Sequence, residues 1–216
     1  MYLATKCRNV VRGLLQAHGT EGVKKLLWNS EFAQGRWNGL DSSPGDCVYP
    51  FVETYAHGGS ILDLGCGPGS TGNELSMASY ADYTGVDISD VAIDKAAKRG
   101  AREGRTTKNR YFQADICTYI PDRNFNVILF RDSIYYVPYN RITALLERYA
   151  AYLTADGVFV VRLFSASGKY QDIINIFCSA CDVVERYTCG ITAATVLVGR
   201  LTSRMHPQPG VETRAR

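Results

Sequence analysis

No stretch of this chain approaches the roughly 20 consecutive apolar residues that a helix needs to cross a bilayer, so no membrane role is expected. Charge of one sign is not in excess either. Lys and Arg number 24 against 21 Asp and Glu, a net +3, which gives no electrostatic pull toward nucleic acid or an acidic surface. Two of those three charges come from residues 202–216, where three Arg meet one Glu. That stretch also holds Pro207, Pro209 and Gly210 among few apolar residues, a composition that predicts a disordered tail. Internal repeats and low-complexity blocks are missing. Histidine is scarce, with three residues in all, and none stands where a general base is wanted. His18 ends a helical pattern, His57 precedes the first strand, and His206 lies in the tail.

The seven cysteines are odd in number and scattered (7, 47, 66, 117, 178, 181 and 189). With no secretory leader, that pattern argues against a disulfide framework and for a reducing, cytoplasmic compartment. Cys178 and Cys181 form a C-x-x-C, with Cys189 eight residues on. No fourth ligand stands nearby and the segment is mostly apolar, which favours small packing residues over a metal site; none is expected. The N-terminal "MYLATKCRNVVRGLLQAHG" interrupts Val10, Val11, Leu14 and Leu15 with Lys6, Arg8 and Arg12, a pattern of an amphipathic helix and not of a signal peptide.

What is present is 216 residues with 46% apolar side chains, enough for one substantial α/β domain. From 60 to 164, apolar runs alternate with helical patterns, as in repeated strand-helix-strand units on a parallel sheet. Ser60 to Leu64 is the first strand, and Thr71 with Glu74 reads as a capping box opening a helix to about Ser79. "YTGVDI" (83–88) is the second strand, after which Ser89 caps a helix carrying Val91, Ala92, Ile93 and Ala96 toward the sheet. "RYFQADI" is the third and "FNVILF" (125–130) the fourth. A helix with Ile142, Leu145, Leu146, Tyr149 and Leu153 at helical spacing then leads, after a turn at Asp156-Gly157, to "GVFVVRLF". A helix from about Lys169 to Ala180 precedes "DVVERYT" and "TAATVLVGRL". These two runs lie so close in sequence that they must pair antiparallel. The expectation is a Rossmann-like three-layer sandwich: a mostly parallel seven-stranded sheet ending in an antiparallel hairpin. Residues 1–58 are an N-terminal extension over the sheet, 59–201 the main domain and 202–216 the tail.

"ILDLGCGPGSTG" (61–72) ends the first strand in glycines 65, 67, 69 and 72. A strand turning sharply into a helix brings backbone N–H groups to its carboxyl edge, and glycine lets a ligand approach there. Gly67, Gly69 and Gly72 followed by Asp87 satisfy the dinucleotide fingerprint. No G-K-[ST] follows, so the loop is not a Walker loop. Asp63, two residues before the first glycine, would repel a pyrophosphate and suits a cationic ligand. Asp115 supplies a second acidic position at the same edge, able to accept from an amino group. After the fifth strand come only a helix and a hairpin, with no further domain for a hydride acceptor.

These residues resemble the class I S-adenosylmethionine-dependent methyltransferases. "ILDLGCGPGSTG" is similar to their first motif, with Asp63 before Gly65, Gly67 and Gly69, and "YTGVDISDVAIDKA" to their second. "YFQADI" resembles the third and "FNVILFRDSIYYV" the fourth. "LTADGVFVV" departs from the usual L-x-P-G-G at Ala155-Asp156-Gly157. The resemblance covers about residues 58–201. It implies that S-adenosyl-L-methionine is the cofactor, that Asp63, Gly65, Cys66 and Gly67 bind it, and that Asp87 with Ile88 takes the ribose hydroxyls. Asp115 and Ile116 would flank the adenine.

Within residues 131–136 gather Arg131, a cofactor contact largely through its backbone, Asp132 and Tyr135, expected to orient substrate or accept a proton, and Tyr136, a substrate residue. Arg36 and Trp37 could close over the methionine carboxylate from the extension. Tyr170 and Phe164 are candidates for the acceptor pocket, with core packing the alternative for Phe164. No N/D-P-P-Y/F and no Pro-Cys nucleophile occurs where nucleic-acid methyltransferases resemble one another, and no basic, aromatic-studded stretch replaces them. The acceptor is therefore read as a small molecule methylated on O or N. A non-catalytic adenosyl-binding module and, with Asp63 against it, an NAD(P)-dependent oxidoreductase are the other classes these residues admit.

Overall fold

Alternation of buried side chains decides the layers. Along β1 (Ser60–Leu64), β4 (Phe125–Arg131) and β5 (Leu153–Phe164), Leu62, Leu64, Ile128, Phe130, Phe159 and Val161 enter one core. Their neighbours Ile61, Val127, Leu129, Val158 and Val160 enter another on the opposite face. Strands buried on both faces read as continuous apolar runs, which is why these three were legible. The computed structural model describes residues 11–40, 43–164, 168–190 and 192–202; the expected tail falls almost wholly outside them. With β2 (Asp82–Asp87), β3 (Asn109–Gln113), β6 (Cys181–Thr188) and β7 (Ala194–Leu201), the sheet has the order β3-β2-β1-β4-β5-β7-β6. All pairings among β1 to β5 are parallel, and β7 lies antiparallel between β5 and β6, as the short connection requires.

Helices complete the sandwich. The described part of α1 is 11–18, followed by α2 (Glu21–Ala33), α3 (Tyr49–Ala56), α4 (Ser70–Glu74), α5 (Asp90–Arg102), α6 (Tyr139–Ala150) and α7 (Gln171–Ala180). One core takes Ile142, Leu146 and Tyr149 of α6 with Ile173 and Phe177 of α7, and the other takes Val52 and Ala56 of α3.

Several local expectations are corrected. The helix after the glycine loop runs only from Ser70 to Glu74, with left-handed Gly69 as its N-cap. Glu74 does not cap it: its carboxylate accepts from Ser43 N, the Tyr49 hydroxyl and Arg99. Leu153 opens β5 instead of closing α6, and the Asp156-Gly157 turn is an irregularity inside that strand, between pairings at Phe125 and Val127. On α5, Ala92, Ala96 and Gly100 are buried while Val91 and Ile93 are half-exposed.

The extension is tied to this frame by polar contacts from α2. Asn29 Oδ1 accepts from Ser89 Oγ at 2.7 Å, and Lys95 Nζ donates to Phe32 O at 3.0 Å. Ser89 Oγ also accepts from Ala92 N at 3.1 Å as the N-cap of α5. Ser89→Ala therefore removes a cap and a tether together. It should lower unfolding stability by about 1–2 kcal/mol in urea denaturation; an unchanged midpoint would contradict this account.

Candidate functional site

Strand order reverses beside β1, which has β2 on one side and β4 on the other, and in such sheets ligands sit beyond the carboxyl ends at that point. The chain leaves β1 through left-handed backbone at Gly65 (φ 86°), Gly67 (φ 53°) and Gly69 (φ 79°). A Cβ on Gly65 would collide with Ser133 Cβ, and one on Gly69 with Ala96, so both conformation and space demand glycine. The turn is pinned by Gly65 N and Cys66 N donating to Val86 O, and by Gly67 N donating to Asp87 Oδ2 at 2.9 Å. Beside it opens a cleft of ≈ 1020 Å³ including its mouth.

Asp63 lies beneath this turn, fully buried. Its Oδ2 accepts from the Tyr83 hydroxyl at 2.6 Å, while Oδ1, on a residue that lines the cleft, has no hydrogen-bond partner. Burial, partly offset by the Tyr83 hydroxyl and by the positive field of Arg131, pushes its carboxyl up to about 6. A buried carboxylate oxygen without a hydrogen-bond partner is costly until a cation or N–H donor meets it. Asp87, also pushed up to about 6 by burial, accepts from Gly67 N and from Ser89 N at 2.8 Å. Each of its oxygens keeps a lone pair for a hydroxyl donor. Ile88, Ile116 and Cys117 line the next stretch of wall, where Asp115 Oδ1 accepts from Cys117 N. Asp115 Oδ2 is met by Lys24 of α2 at 3.1 Å. A sulfonium amino acid carrying an ammonium, a diol and a flat base fits these groups in that order.

The other half of the cleft rests on a buried charge cluster. Asp46, from the extension, receives Arg131 at 2.6 Å and Arg162 at 3.0 Å, and Arg162 also pairs with Asp132. Asp132 has left-handed backbone (φ 55°), and its Oδ1 accepts from Phe164 N at 2.8 Å. Burial raises the Asp132 carboxyl despite Arg162. Above the cluster stand aromatic rings. Tyr135 stacks flat on Tyr170 (4.4 Å, 2°), Tyr136 meets Tyr135 at 4.7 Å, and Trp28 of α2 is edge-on to Tyr136 at 4.7 Å. Burial raises both Tyr135 and Tyr136, which keeps their hydroxyls protonated at neutral pH.

Asp63, Gly65, Cys66, Gly67, Asp87, Ile88, Asp115, Ile116, Arg131, Asp132, Tyr135, Tyr136 and Trp37 all line this one cleft. Arg36 does not: its half-exposed guanidinium turns to Glu31 at 4.0 Å. Tyr170 backs Tyr135 without lining the cleft, and Phe164 is half-exposed, in neither core nor cleft. Arg131 is turned by its side chain to Asp46, where the sequence reading gave weight to its backbone. Burial keeps the Tyr135 hydroxyl protonated, and Asp132 is already engaged by Arg162 and Phe164 N. Among the described residues no group of three or more His, Cys, Asp or Glu could hold a metal ion.

Sequence reasoning missed Lys24, Trp28 and Phe32, which line the cleft. Their spacing of four along α2 was the available signal. It also missed buried Glu31, which accepts from Trp37 Nε1 at 2.8 Å and Arg12 at 3.1 Å and so fixes the Trp37 ring. Asp46 and Arg162 gave no local signal, because they meet only through the fold.

Residues 61–157 match a family model described as a methyltransferase domain. The chain is 32% identical over 184 residues to an eEF1A lysine and N-terminal methyltransferase homolog of Drosophila pseudoobscura pseudoobscura, covering 82% of this chain and 26% of that protein. It is 24% identical over 141 residues to a sterol 24-C-methyltransferase of Neurospora crassa, covering 60% and 37%. It thus spans well under half the length of these curated relatives. Its fold is similar to a TehB-like SAM-dependent methyltransferase of Corynebacterium glutamicum, with a TM-score of 0.61, 22% identity, and coverage of 81% and 98%. Residues 61–157 thus match a methyltransferase domain, and the fold around them is similar to that of S-adenosylmethionine-dependent methyltransferases.

The raised carboxyl of Asp63 makes a signed prediction. An acid whose folded pKa exceeds its ordinary 3.8 favours the folded state fully below that value, and the benefit is lost as pH rises through about 6. Asp63→Asn, which keeps an acceptor for Tyr83, should gain stability over the native chain above pH 6. The gain should be up to roughly 3 kcal/mol and vanish toward pH 4. Urea denaturation at pH 4.5 and 7.5 measures it; an equal difference at both would contradict the burial argument.

Proposed function

We propose that this chain is an S-adenosyl-L-methionine-dependent methyltransferase acting on an O or N atom of a small-molecule acceptor. The observation that carries the reading is the buried Asp63 with Oδ1 unpartnered in the cleft at the strand-order reversal. The family match over 61–157 and the methyltransferase names of the relatives support the methyl transfer. The division into extension (1–58), methyltransferase domain (59–201) and tail (202–216), and the cytoplasmic location drawn from cysteine usage, go with the same reading. No helix of the described residues is long and apolar enough to cross a membrane.

In this reading Asp63 holds the ammonium, Asp87 the ribose hydroxyls, and Ile88, Asp115 and Ile116 the adenine, with Lys24 sharing Asp115. When bound, the cofactor supplies a methyl group activated on a sulfonium. The chain's own contribution is placement and exclusion of water. Trp28, Phe32 and Trp37 cover the cleft from the extension. Tyr135 and Tyr136, their hydroxyls kept protonated by burial, form the wall at the acceptor end of the cleft. Asp132, held by Arg162 and Phe164 N, fixes the loop and leaves no unengaged base at this end.

Calorimetric titration should show binding of both S-adenosylmethionine and its demethylated product, and no binding of either would overturn the proposal. Asp87→Ala should weaken that binding at least tenfold, the loss of two charge-assisted hydrogen bonds. Unchanged affinity would remove Asp87 from the ribose site.

A further inference from the structure

Among the described residues, the acceptor end of the cleft has aromatic rings but no available cation. Trp28 is the hub of its rings: edge-on to Tyr136 at 4.7 Å, and 6.0 Å from both Trp37 and Phe32. Tyr135 continues the wall beyond Tyr136. The two cationic side chains lining the cleft are both committed, Lys24 to Asp115 and Arg131 to Asp46, and Arg162 behind them is shared by Asp46 and Asp132. Of the carboxylates lining the cleft, Asp63, Asp87 and Asp115 belong to its cofactor half, and Asp132, paired with Arg162, stands at the acceptor end. Glu31 and Asp132 both act on the Tyr136 hydroxyl, each disfavouring its ionisation. An anionic acceptor would therefore enter the negative field of Glu31 and Asp132, against the negative faces of the rings, and among the described residues could gain a cationic partner only by breaking an ion pair that leaves an acid bare. The same faces attract a positive group.

Resting on the methyl-transfer reading above, we infer that the acceptor is an organic amine on an aromatic or apolar body, held by the faces of Trp28, Trp37 and Tyr136. The ammonium form is attracted into the cleft, and transfer draws on its unprotonated fraction. There the nitrogen lone pair forms the new N–C bond, the C–S electron pair stays with sulfur, and the surplus N–H proton passes to solvent.

Three phenyl probes of matched shape test this on the full chain: phenethylamine, 2-phenylethanol and 3-phenylpropanoate. The chain is first saturated with S-adenosylhomocysteine, verified by calorimetry. Failure at that stage would sink the methyltransferase reading itself and, with it, this inference. Quenching of the emission of Trp28 and Trp37, the chain's two tryptophans, then reports probe binding. Phenethylamine should bind at least tenfold tighter than 3-phenylpropanoate and clearly tighter than the alcohol. Tyr136→Leu should abolish that preference and Tyr136→Phe retain it, with S-adenosylhomocysteine affinity unchanged in both. With that product bound, three outcomes would each overturn the amine assignment: equal or tighter binding of the carboxylate, equal binding of the alcohol, or no quenching by the amine at millimolar concentration.

Discussion

A carboxylate sealed beneath a left-handed turn at the end of β1 is the constraint on which the cleft depends. Asp63 is tied on one side by Tyr83, and its other oxygen is buried beside the cleft without a hydrogen-bond partner. The turn above it exists only because residues 65, 67 and 69 have no side chain. Substituting a larger residue at Gly65 would drive the loop into Ser133, whose hydroxyl anchors to Leu64 O and so sets the path of the chain after β4. The burial that leaves Asp63 Oδ1 unanswered costs stability, and it is that cost which makes the site selective for a positive group.

A second set of charges joins the extension to the domain. Asp46 reaches the carboxyl ends of β4 and β5 and gathers Arg131 and Arg162, the latter carrying Asp132 with it. On the far side of the cleft Lys24 does the same for Asp115. Between these two clasps α2 presents Trp28 and Phe32 to the cleft. The extension thus builds one wall of the site, and its ion pairs consume the cations that would otherwise invite an anionic acceptor.

Much of this was legible in the order of residues. β1, β4 and β5 were readable because burial on both faces forces unbroken apolar runs, and the closing hairpin because three turn residues cannot support a crossover. Asp63, the glycines and Asp87 were readable because their chemistry is local to two loops. The illegible part is tertiary. Nothing near Arg131 in sequence announces Asp46, 85 residues away, and nothing near Asp115 announces Lys24, 91 residues away. Arg36, expected to close over the methionine carboxylate, lies outside the cleft lining and pairs with the Glu31 carboxylate at 4.0 Å. Thr71 and Glu74 matched the spacing of a capping box, but Ser43 N, Tyr49 and Arg99 compete for that carboxylate more effectively than the helix end does.

The central claim, that Asp63 is buried in order to meet a cation with Asp87 beside it, has a thermodynamic signature. Both carboxyls sit near 6 in the free protein, and partners that stabilise their charged forms must expel the protons they hold. Calorimetric titration of S-adenosylmethionine in buffers of differing ionisation heat reads that release directly. The account predicts about one proton expelled at pH 6, shared between the two groups, about half as much in Asp63→Asn, and almost none at pH 8. Binding heats at pH 6 that are the same in every buffer would contradict it.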